Sequence, residues 1–351
     1  MCCDQSRHRD LWRRPLLFRH LWQARTGGTL FALALVSRTE RQAFPVQGEQ
    51  VLRDPADTPP PTLPVEKRNP GRPKGSSTQA KAAAPLNAEH PRISAMIAGL
   101  LARIRPQLAL TYLVRDGHFG HHNAVLMARR LGVQLIAKLR SDSALSSPYD
   151  GPYAGRGPRR ISGDRINPAA IPARFLKQTA LEAQGETRIY QLEARHKTFA
   201  QPLQVVVILK THQTTGKQAH VYLFSTDRSL AWDVLRDDDQ LWFHIAFVFR
   251  DAKQYWGLED FMVVKEAAVT NALNLACFMV NRSRRLVRDR RRLDPDASVR
   301  DRKAHYRGLP YAEEVIKLLP ETPEPGVLRR LLAQVTGLGR IHPLPVELGA
   351  G

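Results

Sequence analysis

The sequence predicts an α/β protein carrying a β-rich insertion and a C-terminal set of helices, and three patterns carry that reading. Residues 109–115, 123–131 and 133–139 read as strand, helix and strand, with Gly132 as the helix stop. This is a βαβ unit, whose two strands should be parallel and adjacent. Residues 187–196, 203–211 and 219–226 read as strands, the last two joined through Thr214-Thr215-Gly216-Lys217 as a hairpin. From Leu241 onward, apolar residues recur at helical spacing.

Taken in order, residues 1–28 have no periodic pattern and carry Arg7, Arg9, Arg13, Arg14, Arg19 and Arg25, so a basic, poorly ordered N-terminus is expected. Residues 29–37 form a compact apolar run compatible with a buried strand, and 41–46 could continue into a second. Composition then shifts to Pro, Lys, Ser and Ala, with Pro59-Pro60-Pro61, which makes 52–87 a flexible linker that cannot pack a core. Order resumes at 91–105, where Ile93, Ile97, Leu100 and Leu101 give a helical stripe. A Gly- and Pro-rich loop, 146–160, leaves the βαβ unit. Four divisions follow: the basic N-terminus 1–28, the first part of the core 29–140, a β-rich insertion 141–235, and a helical part 236–345. The last holds a helix around Ala246, a long one over 261–288, and shorter ones at 312–319 and 327–335.

At 351 residues the chain can bury one sizeable core or a core plus an insertion. Its formal net charge of +20 favours a polyanionic partner, nucleic acid before others, because Lys and Arg on phosphates release condensed counterions. Cys2, Cys3 and Cys277 cannot make a disulfide framework and have no zinc spacing with His, which fits a reducing cytoplasm. The most apolar long run, 267–280, is too short for a bilayer and is broken by Thr270, Asn271 and Asn274, so it reads as a core helix. No membrane partner is expected, nor does the Arg-rich N-terminus have the apolar core of a secretory signal.

Asp116 is the strongest single candidate for chemistry. It ends a hydrophobic strand and opens the turn Gly117-His118-Phe119-Gly120 into a helix, and open α/β sheets bind ligands at such strand ends. The plainer reading is an Asp that caps the turn. His118, His121 and His122 crowd one loop without an opposing Cys or carboxylate pair, and read as a solvated or phosphate-facing loop rather than a zinc site. In 241–258, Leu241, Ile245, Val248 and Ala252 make an apolar stripe, while Trp242, Ala246, Arg250 and Lys253 fall along a neighbouring face.

Tyr112-Leu-Val-Arg-Asp-Gly-His-Phe-Gly120 resembles the strand bearing the second catalytic Asp of bacterial insertion-sequence DDE transposases. Phe249-Arg-Asp-Ala-Lys-Gln254 with Gly257-Leu258 resembles the segment around their third acid. That helix carries in the family a signature of Tyr, two residues, Arg, three residues, Glu, six residues, Lys. Set on Arg250 and Lys253, it puts the metal-binding Glu at Ala246, the Arg at Trp242 and the Tyr at Asp239. The resemblance covers about residues 29–345 and implies an RNase H-like core, Mg²⁺ or Mn²⁺ dependence, and cut-and-paste DNA cleavage and strand transfer at element ends. It implies Asp116 as catalytic residue and metal ligand, with Arg250 and Lys253 on phosphates near the cleaved end. Its first Asp lies on a strand upstream of 30–37, and Asp4 and Asp10 sit in polar, Arg-rich surroundings unlike that strand. Ala246 cannot bind a metal, so this copy reads as truncated and degenerate. A non-catalytic DNA-binding protein derived from such an enzyme is the alternative.

Two further basic segments are candidates for DNA. Asn69-Pro-Gly-Arg-Pro-Lys-Gly75 resembles the AT-hook, whose Arg, here Arg72, enters a narrow minor groove. Residues 282–292 extend a helix with Arg282, Arg284 and Arg285 as phosphate-binding candidates, set against a solvated helix end that favours cations. The expected partner is double-stranded DNA, as element ends and target, with a homodimer on that DNA left open. The expected place is the cytoplasm, at the nucleoid when DNA is bound.

Overall fold

The computed structural model describes residues 16–23, 29–51, 86, 89–153, 155, 157, 159–321 and 323–342. The described chain runs through strands β1 (Leu16–Gln23), β2 (Thr29–Ser37) and β3 (Gln42–Val51), helix α1 (Glu89–Ile104), β4 (Tyr112–Val114), α2 (His122–Arg130) and β5 (Gln134–Leu139). It continues through β6 (Leu145–Pro148), β7 (Ser162–Arg165), β8 (Leu176–Glu182), β9 (Gly185–His196), β10 (Leu203–His212) and β11 (Gln218–Ser225). Helices α3 (Trp232–Leu241), α4 (His244–Trp256), α5 (Glu266–Arg290), α6 (Val299–Lys317) and α7 (Pro325–Gly337) complete it. It divides into two compact units: one reaches Ala246 apart from 45–50, and the other takes 45–50 and the chain from Phe247 on.

The sheet runs β3-β2-β1-β4-β5-β11-β10-β9-β6-β7, with β8 on β9. Strand β1 is antiparallel to β2 and parallel to β4, and β4 is parallel to β5 with Val114 opposite Ile136. This mixed sheet with C-terminal helices is consistent with an RNase H-like core, and the expected βαβ unit is present as β4-α2-β5. Strand β4 is buried along its whole length, and β2 buries Leu30 to Ala34 and Val36. Strands covered on both faces require such unbroken apolar runs. Helix α1 turns Ile93, Met96, Ile97, Leu100 and Leu101 into the same core as Leu113, Ala124 and Leu135. Strand β11 joins β5 antiparallel, so Val205, Val207 and Phe224 belong to that core too.

Several sequence expectations change here. Residues 16–23, within the segment expected to lack order, form β1, because its backbone pairs with β2 on one side and β4 on the other. Strands β6, β7 and β8 went unseen; β8 is exposed along nearly its whole length, so no burial alternation marks it. The helix read across 241–258 is broken near its start: Trp242 N donates to Asp239 O, Phe243 N to Gln240 O and Ala246 N to Phe243 O, a tight two-residue joint at Trp242 and Phe243 between α3 and α4. The helix expected at 312–319 begins at Val299 and ends at Lys317, passing through Pro310, which has no N–H to give the ladder. The Pro- and Lys-rich segment with Arg72, together with Cys2, Cys3, Asp4 and Asp10, lies outside the described residues.

In the second unit α5 buries Val269, Leu273, Ala276, Cys277 and Val280, while Leu275 and Phe278 are exposed. The apolar run read as a core helix therefore lies on a helix with one open face. Asn274 and Asn281 donate to the backbone oxygens of Gly48 and Pro45. Helix α6 opens with a capping box in which Ser298 and Asp301 exchange bonds. Asp301 is buried, which by itself would raise its pKa. Hydrogen bonds from His342, Ser298 and the Ile341 N–H outweigh that and hold the carboxyl well below the usual range. Gly308 lies where α6 meets α7: a Cβ there would stand 2.8 Å from Val335 O. No helix among the described residues is long and apolar enough to cross a membrane.

Candidate active site

The β4 ladder ends with Arg115 N donating to Ile136 O at 2.9 Å, and Asp116 follows in extended conformation. Its Oδ1 accepts from His118 N at 3.1 Å, so the carboxylate caps the short 3₁₀ turn Gly117–Phe119. The capping role and a place at the end of a sheet strand thus coexist. The turn is fixed from two sides. Arg115 is only 1% exposed, with its guanidinium 3.1 Å from the centre of the Phe119 ring, and the buried His90 stands edge-on to both Phe119 and His121. On the other side, a Cβ at Gly120 would fall 2.0 Å from Lys138 O, so only glycine lets the turn press on β5.

Lys138 connects this turn to α3. Its Cβ is 3.5 Å from where a Gly117 Cβ would be, and its Nζ stands 3.2 Å from Asp239 Oδ2. Burial raises the pKa of Asp239 above its ordinary value, although Lys138 pulls the other way. The neighbouring Asp238, fully buried, is gripped through both oxygens by Arg38. Tyr112 donates to Asp227 at 2.6 Å and lies under the Arg38 guanidinium. Neither Lys138 nor the role of Asp239 was found by spacing, because an Asp237-Asp238-Asp239 run looks like a solvated helix face. The single sequence cue was the signature ruler, which placed Asp239 at its first position.

Ala246 sits half-buried in the first turn of α4 and offers no ligand atom. Strand β1, parallel neighbour of β4, reads Leu-Leu-Phe-Arg-His-Leu-Trp-Gln and contains no carboxylate. Among the described residues no group of three or more His, Cys, Asp or Glu is arranged to hold a metal ion. A two-metal site needs several carboxylates on one pair of ions, and Asp116 alone does not fit that demand.

The second unit holds the other named residues. Arg250 is exposed, lies over the Phe247 ring and reaches Asp251 at 2.9 Å. Arg284 is half-buried against the second oxygen of Asp251 at 3.0 Å, and Lys253 pairs with Glu259 at 2.8 Å. Asp251 and Glu259 are therefore committed to cations. Arg285 is exposed and 4.0 Å from Asp289, while Arg282 is exposed on α5.

A family model described as DDE superfamily endonuclease matches residues 18–199, just over half of the chain. The match begins within β1, includes Asp116 and ends after β9, before α3 and α4. No curated protein matches the sequence.

Proposed function

Because the chain belongs to the DDE superfamily endonucleases, we propose that it is an insertion-sequence transposase that binds DNA but is defective in strand cleavage. The family is a DNA-cleaving one that typically uses divalent metal ions. One observation carries the defect: at the sheet end where Asp116 sits, the neighbouring strand β1 has no carboxylate and the signature position 246 is Ala. In-line displacement needs charge compensation on both the attacking and the leaving oxygen. In a complete member, Asp116 would serve as one ligand of Mg²⁺ or Mn²⁺, and those ions would activate the attacking oxygen.

DNA binding requires less. Phosphate contacts need only cations, and the net charge of +20 supplies them in excess. The exposed Arg250, Arg282 and Arg285 are the first choices in the helical unit, with Arg284 sharing Asp251 with Arg250, Lys253 a further candidate paired with Glu259, and Arg72 a minor-groove contact. Such a protein would occupy element ends without cutting them, in the cytoplasm at the nucleoid. Titration with labelled duplex DNA tests this: affinity should fall steeply between about 50 and 200 mM salt. Absence of binding at low ionic strength, or indifference to salt, would remove the reading.

A further inference from the structure

Two hollows adjoin on helix α6 within the second unit. One, of about 570 Å³, is walled by Trp256, Phe278 and Tyr306 with Arg282 and Arg302 at its edge. The other, of about 510 Å³, is walled by Tyr255, Tyr311 and Leu338 with Arg300. Both include Lys303 and Arg307, which form the ridge between them, and neither is lined by any Asp or Glu. Each has the size of a small-molecule site.

We propose that this pair of hollows binds unpaired single-stranded DNA, one base in each hollow, with the connecting phosphate on the Lys303–Arg307 ridge. The proposal rests on the DNA-binding reading above and adds the strand state. A duplex hides the faces of its bases in its own stack and presents phosphates and base edges, which would leave aromatic walls without a stacking partner. An unpaired strand offers both base faces and backbone charge, the combination that aromatic and cationic grooves accept.

The side chains are set for this. Lys303 Nζ donates to Tyr255 O at 2.6 Å and lies 5.0 Å from the Trp256 ring centre, so it ties the two hollows together. Arg302 donates to the Tyr306 hydroxyl at 3.0 Å and lies 4.8 Å from that ring, which holds the phenol in place. Arg282, Arg300 and Arg307 are exposed and make no ion pair with a described carboxylate, so their charge remains for phosphate. The indole N–H of Trp256 is buried without an acceptor among the described residues, an orphan donor of the kind a base carbonyl could satisfy. Phe278, Tyr306 and Tyr311 are 60%, 48% and 68% exposed, so ring surface at the hollows is open to a base.

The test uses the full chain with a fluorescently labelled mixed-sequence 12-nucleotide strand and its 12-base-pair duplex, read by anisotropy at one salt concentration. Tyr306→Ala combined with Tyr311→Ala, both at exposed positions, should weaken the single strand about tenfold or more and the duplex less than twofold. Trp256 fluorescence, isolated by comparison with Trp256→Phe, should be quenched by the single strand and not by the duplex. Equal weakening of both ligands, or none, overturns the base-hollow assignment while leaving duplex binding standing. If neither ligand binds the unmodified chain, the DNA-binding reading fails as well.

Discussion

Replacing Gly120 by Ala probes the contact that positions Asp116. The glycine has φ −72°, which any residue adopts, so the substitution introduces no backbone strain of its own. Its difficulty is steric: the new methyl carbon would stand 2.0 Å from the Lys138 carbonyl oxygen and 3.3 Å from Leu139 Cα. Reaching an ordinary contact of 3.4 Å requires a shift of ~1.4 Å between the turn and β5. Both partners are main chain, and β5 is held between β4 and β11, so neither can swing aside as a side chain would. Overpacking of this kind costs about 1–3 kcal/mol and sometimes more, and the backbone contact places Gly120→Ala at about 3 kcal/mol. Gly117→Ala is the internal control, because its methyl would meet Lys138 Cβ at 3.5 Å, an ordinary contact. Urea unfolding followed by circular dichroism, with refolding checked, should show a large loss for the first variant and a change within about 0.5 kcal/mol for the second. Equal stability of Gly120→Ala and the parent protein would refute the packing of this turn on β5.

Burial pushes the Cys277 thiol up to about 12, so at pH 8 its alkylation in the folded protein should be roughly three orders of magnitude slower than that of a free thiol. Peptide-level mass spectrometry separates it from Cys2 and Cys3, and rapid native-state labelling would contradict its burial on α5. Asp239, with its pKa raised by burial, favours the protonated folded state, so its contribution is fully present below the ordinary Asp pKa and is lost as pH rises through the raised value. Asp239→Asn should therefore be at least as stable as the parent at pH 7, and the parent should gain on it as pH falls toward 4; a variant much weaker at pH 7 would show that the Lys138 pair outweighs burial. Ala246→Glu with Trp242→Arg should not by itself yield Mg²⁺-dependent nicking, because β1 still lacks an acid; nicking by that double variant would mean another carboxylate completes the site.

The elements that were legible in the sequence are those whose burial repeats with a fixed period. The β4-α2-β5 unit and the β10–β11 hairpin announce themselves through apolar runs and turn residues, as does the buried stripe Ile245, Val248 and Ala252 on α4. Strand β8 has no such stripe, and β1 lies within an Arg-rich segment, where it is placed by pairing to β2 and β4. Asp116 could be picked out because strand end and turn coincide within a few residues. The Lys138–Asp239 pair could not, since it joins positions about a hundred residues apart through the docking of α3 on β5. The joint at Trp242 and Phe243 also escaped, because both residues satisfy a helical pattern while the backbone bonds change.

Strand cleavage by the unmodified chain is the most direct measurement. Supercoiled plasmid and linear DNA taken from both flanks of the coding sequence would be incubated with the full chain and Mg²⁺ or Mn²⁺, at salt low enough for binding to be seen by gel shift. The prediction is a shifted complex and no nicked or cut product above a protein-free control, with Asp116→Ala indistinguishable from the parent. Nicking by the parent that disappears in Asp116→Ala would contradict the defect, and would require an acid not yet identified to stand beside Asp116.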